Sequence, residues 1–256
     1  MLSGAVSATA IAALSWRARA LTASGAAAAA VLGTFCVAAG WDWGILLIAY
    51  FVASTALTRW GRARKGLLTG GIIAKGGPRD ARQVLANGAL FGAAALAWTV
   101  DPRATWMAAG AGSLAASAAD TWGTELGTLM RGPTRLITSL RPVAPGTSGG
   151  VSAGGLVATV AGAAFVAAVV WTLQWPMPVV TAAAIGGVIG AILDSVLGAT
   201  VQARHRCPRC GADTEQAVHD CGAPTERAGG WSWLDNDAVN LACNLTGALI
   251  AAWIAG

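Results

Sequence analysis

The sequence predicts an all-α fold: a polytopic helical membrane protein with seven or eight transmembrane helices and a small cytoplasmic loop resembling a zinc knuckle. Of the 256 residues, 55% are hydrophobic and 11% are charged, less than half the charged share of a typical soluble domain. Apolar stretches continue far enough to cross a bilayer core of about 30 Å, without the alternation of barrel strands. Soluble, disordered and barrel classes are therefore excluded.

Eight apolar stretches are candidate membrane spans. In chain order they comprise residues 2–16, 21–40, 43–58, 83–100, 104–119, 151–171, 179–200 and 238–254. The first is the weakest candidate, so seven spans is the nearest alternative. Polar residues 201–235, called the cysteine loop below, are inserted between the last two spans. The chain is expected to form a single transmembrane domain over residues 1–256.

Basic residues fall almost entirely on one side of this arrangement. Of the 17 lysines and arginines, only Arg103 lies on the other side. Because positive charge is retained in the cytoplasm, we expect the basic side to be cytoplasmic and both termini to lie outside an inner or plasma membrane. Nucleic-acid binding is a poor explanation, since the basic residues adjoin spans and lack an aromatic stacking platform.

Acidic residues collect at the cytoplasmic ends of several spans. Asp120 and Glu125 end the fifth, Asp194 lies near the end of the seventh, and Asp237 opens the last. A carboxylate in a span needs a partner, a cavity or a function. Either arginines and lysines pair with all four, or a divalent cation binds them. We favour the cation, and Mg²⁺ with bound phosphate suits these hard oxygen ligands.

Helical spacing indicates on which helix faces some of these acidic residues lie. Gly186, Gly190, Asp194 and Gly198 recur every four residues, and we interpret the three glycines as helix-packing positions. Asp120 and Glu125 are five residues apart and cannot share a face of one helix unless it ends or bends near Gly123.

Two segments have the chemistry of phosphate sites. Residues 146–150, the glycine loop, run into a predicted helix N-terminus that attracts anions, although Thr147 as a plain N-cap is an equal alternative. Residues 62–82 carry both lysines of the chain beside glycines and a polar helix start. The predicted substrate and nucleotide ligands are Lys65, Lys75, Arg79, Gln83, Asn87, Thr147, Ser148, Gly149, Gly150, Asn236 and Asn240.

The cysteine loop carries a separate motif. Cys207-x2-Cys210 is followed by His219-x-Cys221, which gives four soft ligands suited to tetrahedral Zn²⁺. His205 is an alternative to His219. A disulfide is disfavoured on the reducing side of the membrane. A structural role is favoured over a catalytic one, because four protein ligands leave no open position on the metal.

Seven segments together resemble an integral-membrane family of long-unknown function, which includes the plant phytyl-phosphate kinase and an uncharacterised animal transmembrane protein. The segments are RKGLLTGG (64–71), KGGPRDARQVLANG (75–88), SAADTWGTELG (117–127), GTSGGVSAGG (146–155), DSVLGATVQA (194–203), the Cys/His cluster and WLDNDAVN (233–240). They cover most of the chain from residue 60 onward, in order.

The resemblance implies a kinase that converts an isoprenyl monophosphate to its diphosphate with CTP or another nucleotide and Mg²⁺. The residues agree with that chemistry, because phosphoryl transfer depends on charge neutralisation and positioning. Asp120, Glu125, Asp194 and Asp237 would then be both catalytic residues and Mg²⁺ ligands. A lipid or small-molecule transporter or flippase with an intramembrane carboxylate site is the alternative, although such sites usually lie near the midplane between repeated halves. The oligomeric state does not follow from the sequence.

Overall fold

The computed structural model describes residues 2–69, 72, 77–130 and 132–256, which are mostly helical. The helices are α1 (Leu2–Arg17), α2 (Ala23–Ala39), α3 (Trp41–Arg59), α4 (Arg62–Thr69), α5 (Ala81–Val100), α6 (Ala104–Leu129), α7 (Ala153–Thr172), α8 (Met177–Thr200) and α9 (Asn236–Ala255). The strands are β1 (Arg135–Leu136), β2 (Gly150–Val151), β3 (Arg204–Arg206), β4 (Asp213–Thr214) and β5 (Glu226–Gly229).

Each predicted span coincides with one helix, which confirms a helical membrane protein. Helices α3, α5, α7, α8 and α9 are long and apolar enough to cross a bilayer. Helix α2 is apolar but has only 17 residues, and α1 has 16. The total of seven or eight spans therefore stays a prediction. Large apolar side chains such as Val100 and Trp253 remain exposed on the outside of the bundle, as lipid-facing residues do.

Helix α6 is the centre of the bundle and packs against α5, α7, α8 and α9. Small residues allow these close contacts: a Cβ on Gly186 would lie 2.6 Å from the carbonyl oxygen of Gly247, and one on Gly190 would lie 2.6 Å from that of Cys243. These two glycines therefore pack α8 against α9, as predicted. Gly198 instead approaches the glycine loop, with Gly149 N 2.7 Å from its Cβ position.

Two element boundaries differ from prediction. Helix α6 continues past Gly123 to Leu129, because glycines let this end pack tightly on α7, where a Cβ on Gly123 would lie 2.4 Å from Thr159 Oγ1. The glycine loop does not run directly into α7. Its last residue pairs in β2 with β1, and Ser152 caps the helix by accepting a hydrogen bond from Gly155 N at 3.1 Å.

The two sides of the bundle differ in chemistry. At the end remote from the glycine loop, Trp43 packs in a tilted arrangement against Phe91 and Trp175, with ring centroids 5.1 and 4.9 Å away, and Trp175 Nε1 donates to Asp42 at 2.6 Å. At the opposite end, the cysteine loop forms an antiparallel three-stranded sheet in the order β4-β3-β5. The candidate site lies at this second end.

Candidate functional site

A polar cavity of about 1540 Å³, including its open mouth, lies where α5, α7 and α9 begin and α6 and α8 end. The predicted residues that line it are Arg79, Gln83, Asn87, Asp120, Glu125, Thr147, Ser148, Gly149, Gly150, Asp194, Asn236 and Asn240. Lys65 and Asp237 are not among its described lining residues, and Lys75 lies outside the described part of the chain. The structure therefore brings most of the predicted site to one place.

Asp120 and Glu125 both reach the cavity although α6 does not end between them. Lining residues from Gly123 to Glu125 occupy roughly 200° of the helix circumference at about 100° per residue. The cavity thus wraps around the final turns of α6. Both side chains therefore line the cavity without sharing one face of the helix.

Asp120 on α6 and Asp194 on α8 form the acidic centre of the cavity. Their carboxyl groups lie next to each other. Asp194 Oδ2 is buried without a hydrogen-bond partner, and neither carboxyl forms an ion pair with a described lysine or arginine. Two touching carboxylates repel unless a proton or a cation lies between them. The donor set and the orphaned oxygen fit a hard divalent cation.

Glu125 has a basic partner. Lys65 on α4 donates to Glu125 Oε2 and also to the carbonyl oxygens of Leu57 and Thr58, at 2.8 and 3.0 Å. The lysine is buried, and it therefore joins the end of α3 to the end of α6. Lys65 and Glu125, predicted as a phosphate ligand and a metal ligand, are joined to each other.

Asp237 also has a basic partner. Arg82 Nη2 lies 2.8 Å from Asp235 Oδ2, and Arg82 Nε lies 3.7 Å from Asp237 Oδ2. Asp235 additionally caps α9 by accepting from Ala238 N at 3.1 Å. Ion pairing therefore explains Glu125 and Asp237, whereas cation binding fits the neighbouring carboxyl groups of Asp120 and Asp194.

The glycine loop forms one wall of the cavity. Gly146 and Gly149 have φ values of +86° and +74°, which favour glycine. A Cβ on Gly149 would lie 2.3 Å from Ala199 N, so this loop approaches the end of α8 closely. Thr147 Oγ1 donates to Ala144 O at 2.8 Å, and Thr147 is therefore not the N-cap. The backbone N–H groups of Ser148 and Gly149 donate to no described residue and could bind an anion.

A hydrogen-bonded chain fixes the polar start of α5. Tyr50 Oη and Ser117 Oγ lie 2.6 Å apart, and Ser117 Oγ donates to Asn87 Oδ1 at 2.7 Å. Asn87 Nδ2 donates to Gln83 O at 2.8 Å. Asp80 and Gln83 form a capping box at the N-terminus of the helix. These contacts orient the amide side chains along the cavity wall.

Glu215 lines the cavity and was missed by the sequence analysis. It follows β4 in the cysteine loop, accepts from Gln202 Nε2 at 2.8 Å, and is hydrogen-bonded to Ser148 of the glycine loop. No periodicity marks this residue. The available signal is its position between the two halves of the Cys/His motif, because a metal that folds this segment would also fix an acidic residue within it.

The Cys/His motif forms a compact cluster. The ligand atoms of Cys207, Cys210, His219 and Cys221 all lie within 4.8 Å of one another, so the cluster could hold a metal ion. The His219 ring lowers the pKa of the Cys221 thiol to about 6, whereas hydrogen bonding to Cys221 raises the pKa of Cys210 to about 11. His205 lies in β3 and is not part of the cluster.

The knuckle around this cluster is built by backbone hydrogen bonds. Cys207 follows β3 and is fully buried, and its N–H donates to Ala212 O at 2.9 Å. Gly211 N donates back to Cys207 O at 2.8 Å. The turn therefore presents Cys207 and Cys210 toward the His219–Cys221 segment. Four protein ligands at one point leave no open coordination position, which is typical of a structural metal.

Comparisons with known proteins place the chain in a family. The family model described as integral membrane protein DUF92 matches residues 6–248. A protein named PGR from Arabidopsis thaliana is 28% identical over 88% of this chain and 86% of its own length. An uncharacterized membrane protein of Synechocystis is 36% identical over 50% of this chain and 51% of its own length. No solved structure matches the chain significantly.

Proposed function

This chain belongs to the integral membrane protein family DUF92, and on that premise we propose that it is a membrane kinase for isoprenyl monophosphates. It would transfer a phosphoryl group from a nucleotide triphosphate, with CTP as the first candidate, and yield the isoprenyl diphosphate. The observation that carries the proposal is the Asp120–Asp194 pair, which shares one polar cavity with Arg79 and the glycine loop. The resemblance to the plant phytyl-phosphate kinase supports the substrate class.

Different residues of the cavity can bind the nucleotide donor and the lipid acceptor. Asp120 and Asp194 would hold Mg²⁺, which supplies charge neutralisation for the donor phosphates. The glycine loop offers the N–H groups of Ser148 and Gly149 to the same phosphates. Arg79, which also lines the cavity, is suited to the acceptor phosphate.

The reaction needs orientation more than acid–base catalysis. An oxygen of the acceptor monophosphate forms a bond to the terminal phosphorus of the nucleotide, while the bond from that phosphorus to the bridging oxygen breaks and the nucleoside diphosphate leaves. The attacking oxygen is ionised at neutral pH, so no base is required. Asn87, Asn236 and Asn240 line the cavity as neutral hydrogen-bonding groups that can orient both phosphates.

The basic residues around this end support a cytoplasmic site. The helices alternate in direction, so that the site end contains the ends of α1, α3, α6 and α8 and the beginnings of α2, α5, α7 and α9. In this proposed orientation, both termini lie at the opposite end of the bundle, on the non-cytoplasmic side of the membrane. A nucleotide donor is a cytoplasmic metabolite, and the proposed orientation gives it direct access.

A direct assay tests the kinase proposal. Purified protein is incubated with radiolabelled CTP, ATP or GTP, Mg²⁺ and geranylgeranyl monophosphate, and the labelled diphosphate is measured. Asp120→Asn and Asp194→Asn are each expected to reduce kcat by about 100-fold or more, because each removes a carboxylate ligand of the Mg²⁺ that would neutralise the charge on the transferred phosphoryl group. Asp101→Asn is the matched control, since Asp101 pairs with Arg103 at the opposite end of the bundle. Absence of diphosphate with every nucleotide contradicts the kinase and favours the transporter alternative.

The cysteine loop is proposed to bind structural Zn²⁺ through Cys207, Cys210, His219 and Cys221. Metal content of the purified protein is expected to be one zinc per chain, and Cys210→Ser is expected to lose it. Cys36→Ala is the control, because that cysteine is buried in α2. Equal zinc content in both variants contradicts the assignment.

A further inference from the structure

A second cavity, called the apolar groove, has a volume of about 990 Å³, including its open mouth, and lies among α1, α2, α3 and α5. Its walls are formed mainly by aliphatic and aromatic side chains, with Leu32 and Ile48 among them. Small residues on α1 and α2 leave this space open: Ala12, Ala29 and Gly33 all face it. Longer side chains at these three positions would fill the groove.

The apolar groove and the polar cavity meet. Arg79, Gln83 and Asn87 line both of them. The backbone of Arg79 is fixed by pairing with the segment before α2: Arg79 N donates to Ala20 O, and Thr22 N donates to Arg79 O, both at 3.0 Å. Arg79 is half-buried, and its guanidinium forms no ion pair with a described residue. A cation without a counter-charge among the described residues therefore lies at the end of an apolar space.

The close contact between Arg79 and α2 depends on a glycine at position 25. A Cβ on Gly25 would lie 2.1 Å from Arg79 O, so only glycine allows the first turn of α2 to lie this close. Thr22 caps the same turn by accepting from Gly25 N at 3.1 Å. The arginine is thus held at the foot of the groove by main-chain contacts, and its side chain remains available for a ligand.

The groove has the depth of an extended lipid tail. Its wall on α3 extends from Tyr50, beside the polar chain through Ser117, to Trp41 at the remote end of the helix. Nine residues at about 1.5 Å each give roughly 14 Å, near half of a bilayer core of about 30 Å. The edge residues Ile45 and Trp41 are 48% and 56% exposed, so the groove can be entered from the bilayer.

We propose that the apolar groove binds the isoprenoid tail of the lipid monophosphate and that Arg79 binds its phosphate. An anionic head at Arg79 lies at the boundary of the polar cavity that contains the Asp120–Asp194 pair, whereas the tail follows the inner walls of α1, α2 and α3. The inference rests on the proposed kinase function for the identity of the head group. It adds the tail site and a means of selecting chain length.

Filling the groove tests the tail site. Ala29→Phe is expected to raise the KM for geranylgeranyl monophosphate about tenfold, because part of the apolar contact is lost. The KM for dimethylallyl monophosphate is expected to rise much less, because its short tail uses a smaller part of the groove. Ala27→Phe is the matched control, since Ala27 is exposed on the same helix and does not line the groove. Equal KM values for the long substrate in Ala29→Phe and wild type would overturn the proposal.

A binding measurement on wild-type protein separates this inference from the kinase proposal. It does not depend on whether a variant folds. Wild-type protein without nucleotide is irradiated with geranylgeranyl monophosphate that carries a diazirine at the tail end. Labelling is expected within α1, α2 or α3 on groove residues such as Ile45, and excess geranylgeranyl monophosphate should compete more strongly than geranylgeraniol, which lacks the anionic head. Such labelling without turnover supports the groove and rejects the kinase. Turnover with labelling spread over the outer surface, or competed equally well by geranylgeraniol, rejects the proposal.

Discussion

At the scale of single residues, the acidic side chains of the site differ in their partners. Glu125 and Asp237 face Lys65 and Arg82, whereas the touching carboxyls of Asp120 and Asp194 have no described basic neighbour. The four carboxylates, which the sequence predicts at similar depth in the membrane, therefore have two different roles. Two join helices, and two are suited to a cation and its phosphate ligands.

The buried pair of Lys65 and Glu125 gives a stability prediction. Their side chains are only 9% and 19% exposed, so Lys65→Met leaves a carboxylate without its partner and should lower the free energy of unfolding by about 3 kcal/mol. The melting temperature in detergent measures the loss. The double variant Lys65→Met/Glu125→Gln should recover most of it, because neither charge remains. A double variant no more stable than the single one contradicts this account.

Glu215 is predicted to be a positioning residue for the glycine loop. Glu215→Ala removes the acceptor of Gln202 and Ser148, so the loop loosens and the KM for the nucleotide should rise about tenfold with a smaller change in kcat. Glu215→Gln should restore most of the affinity, since an amide oxygen still accepts. Glu226→Ala in β5 is the exposed control. A fall in kcat alone, with the KM unchanged, would show that Glu215 does not position the loop.

At the scale of elements, the sequence analysis located the five helices that are long and apolar enough to cross a bilayer, and 12 of its 15 predicted cavity residues line the cavity. Periodicity and charge identify helices well, and polar residues at helix ends indicate where those ends meet. The extension of α6 was not predicted, because the support for its polar turns comes from Gly123 packing on Thr159 of another helix. The pairing of Asp237 with Arg82 likewise depends on how α5 and α9 lie together, which no local pattern specifies.

The glycine loop provides a prediction about close packing. Gly149→Ala places a Cβ 2.3 Å from Ala199 N in a backbone with φ +74°, and both activity and melting temperature should fall. Gly211→Ala has a similar φ of +69° but no atom within 4 Å of its Cβ, so strain of about 1 kcal/mol is all we expect there. Kinase activity and melting temperature of both variants measure the difference. Equal losses would show that the approach to α8 has no role.

At the scale of the whole molecule, the predicted orientation can be measured directly. Ser139→Cys lies on the site side and Pro102→Cys lies in the α5–α6 turn at the opposite end, and both positions are exposed. A membrane-impermeant maleimide should label position 139 in inside-out vesicles and position 102 in right-side-out vesicles, because the basic residues are expected to keep the site end in the cytoplasm. Mass mapping identifies the modified peptide. The reverse pattern would place the site outside.

The two cavities share Arg79, Gln83 and Asn87 and no other described residue. Under the proposed chemistry, a hydrophobic reactant arrives sideways from the bilayer while its water-soluble counterpart arrives from the aqueous phase, and neither obstructs the other's route. Order of arrival is then immaterial, and steady-state kinetics should follow a random sequential scheme. The finished diphosphate can diffuse away within the membrane before the spent nucleotide departs.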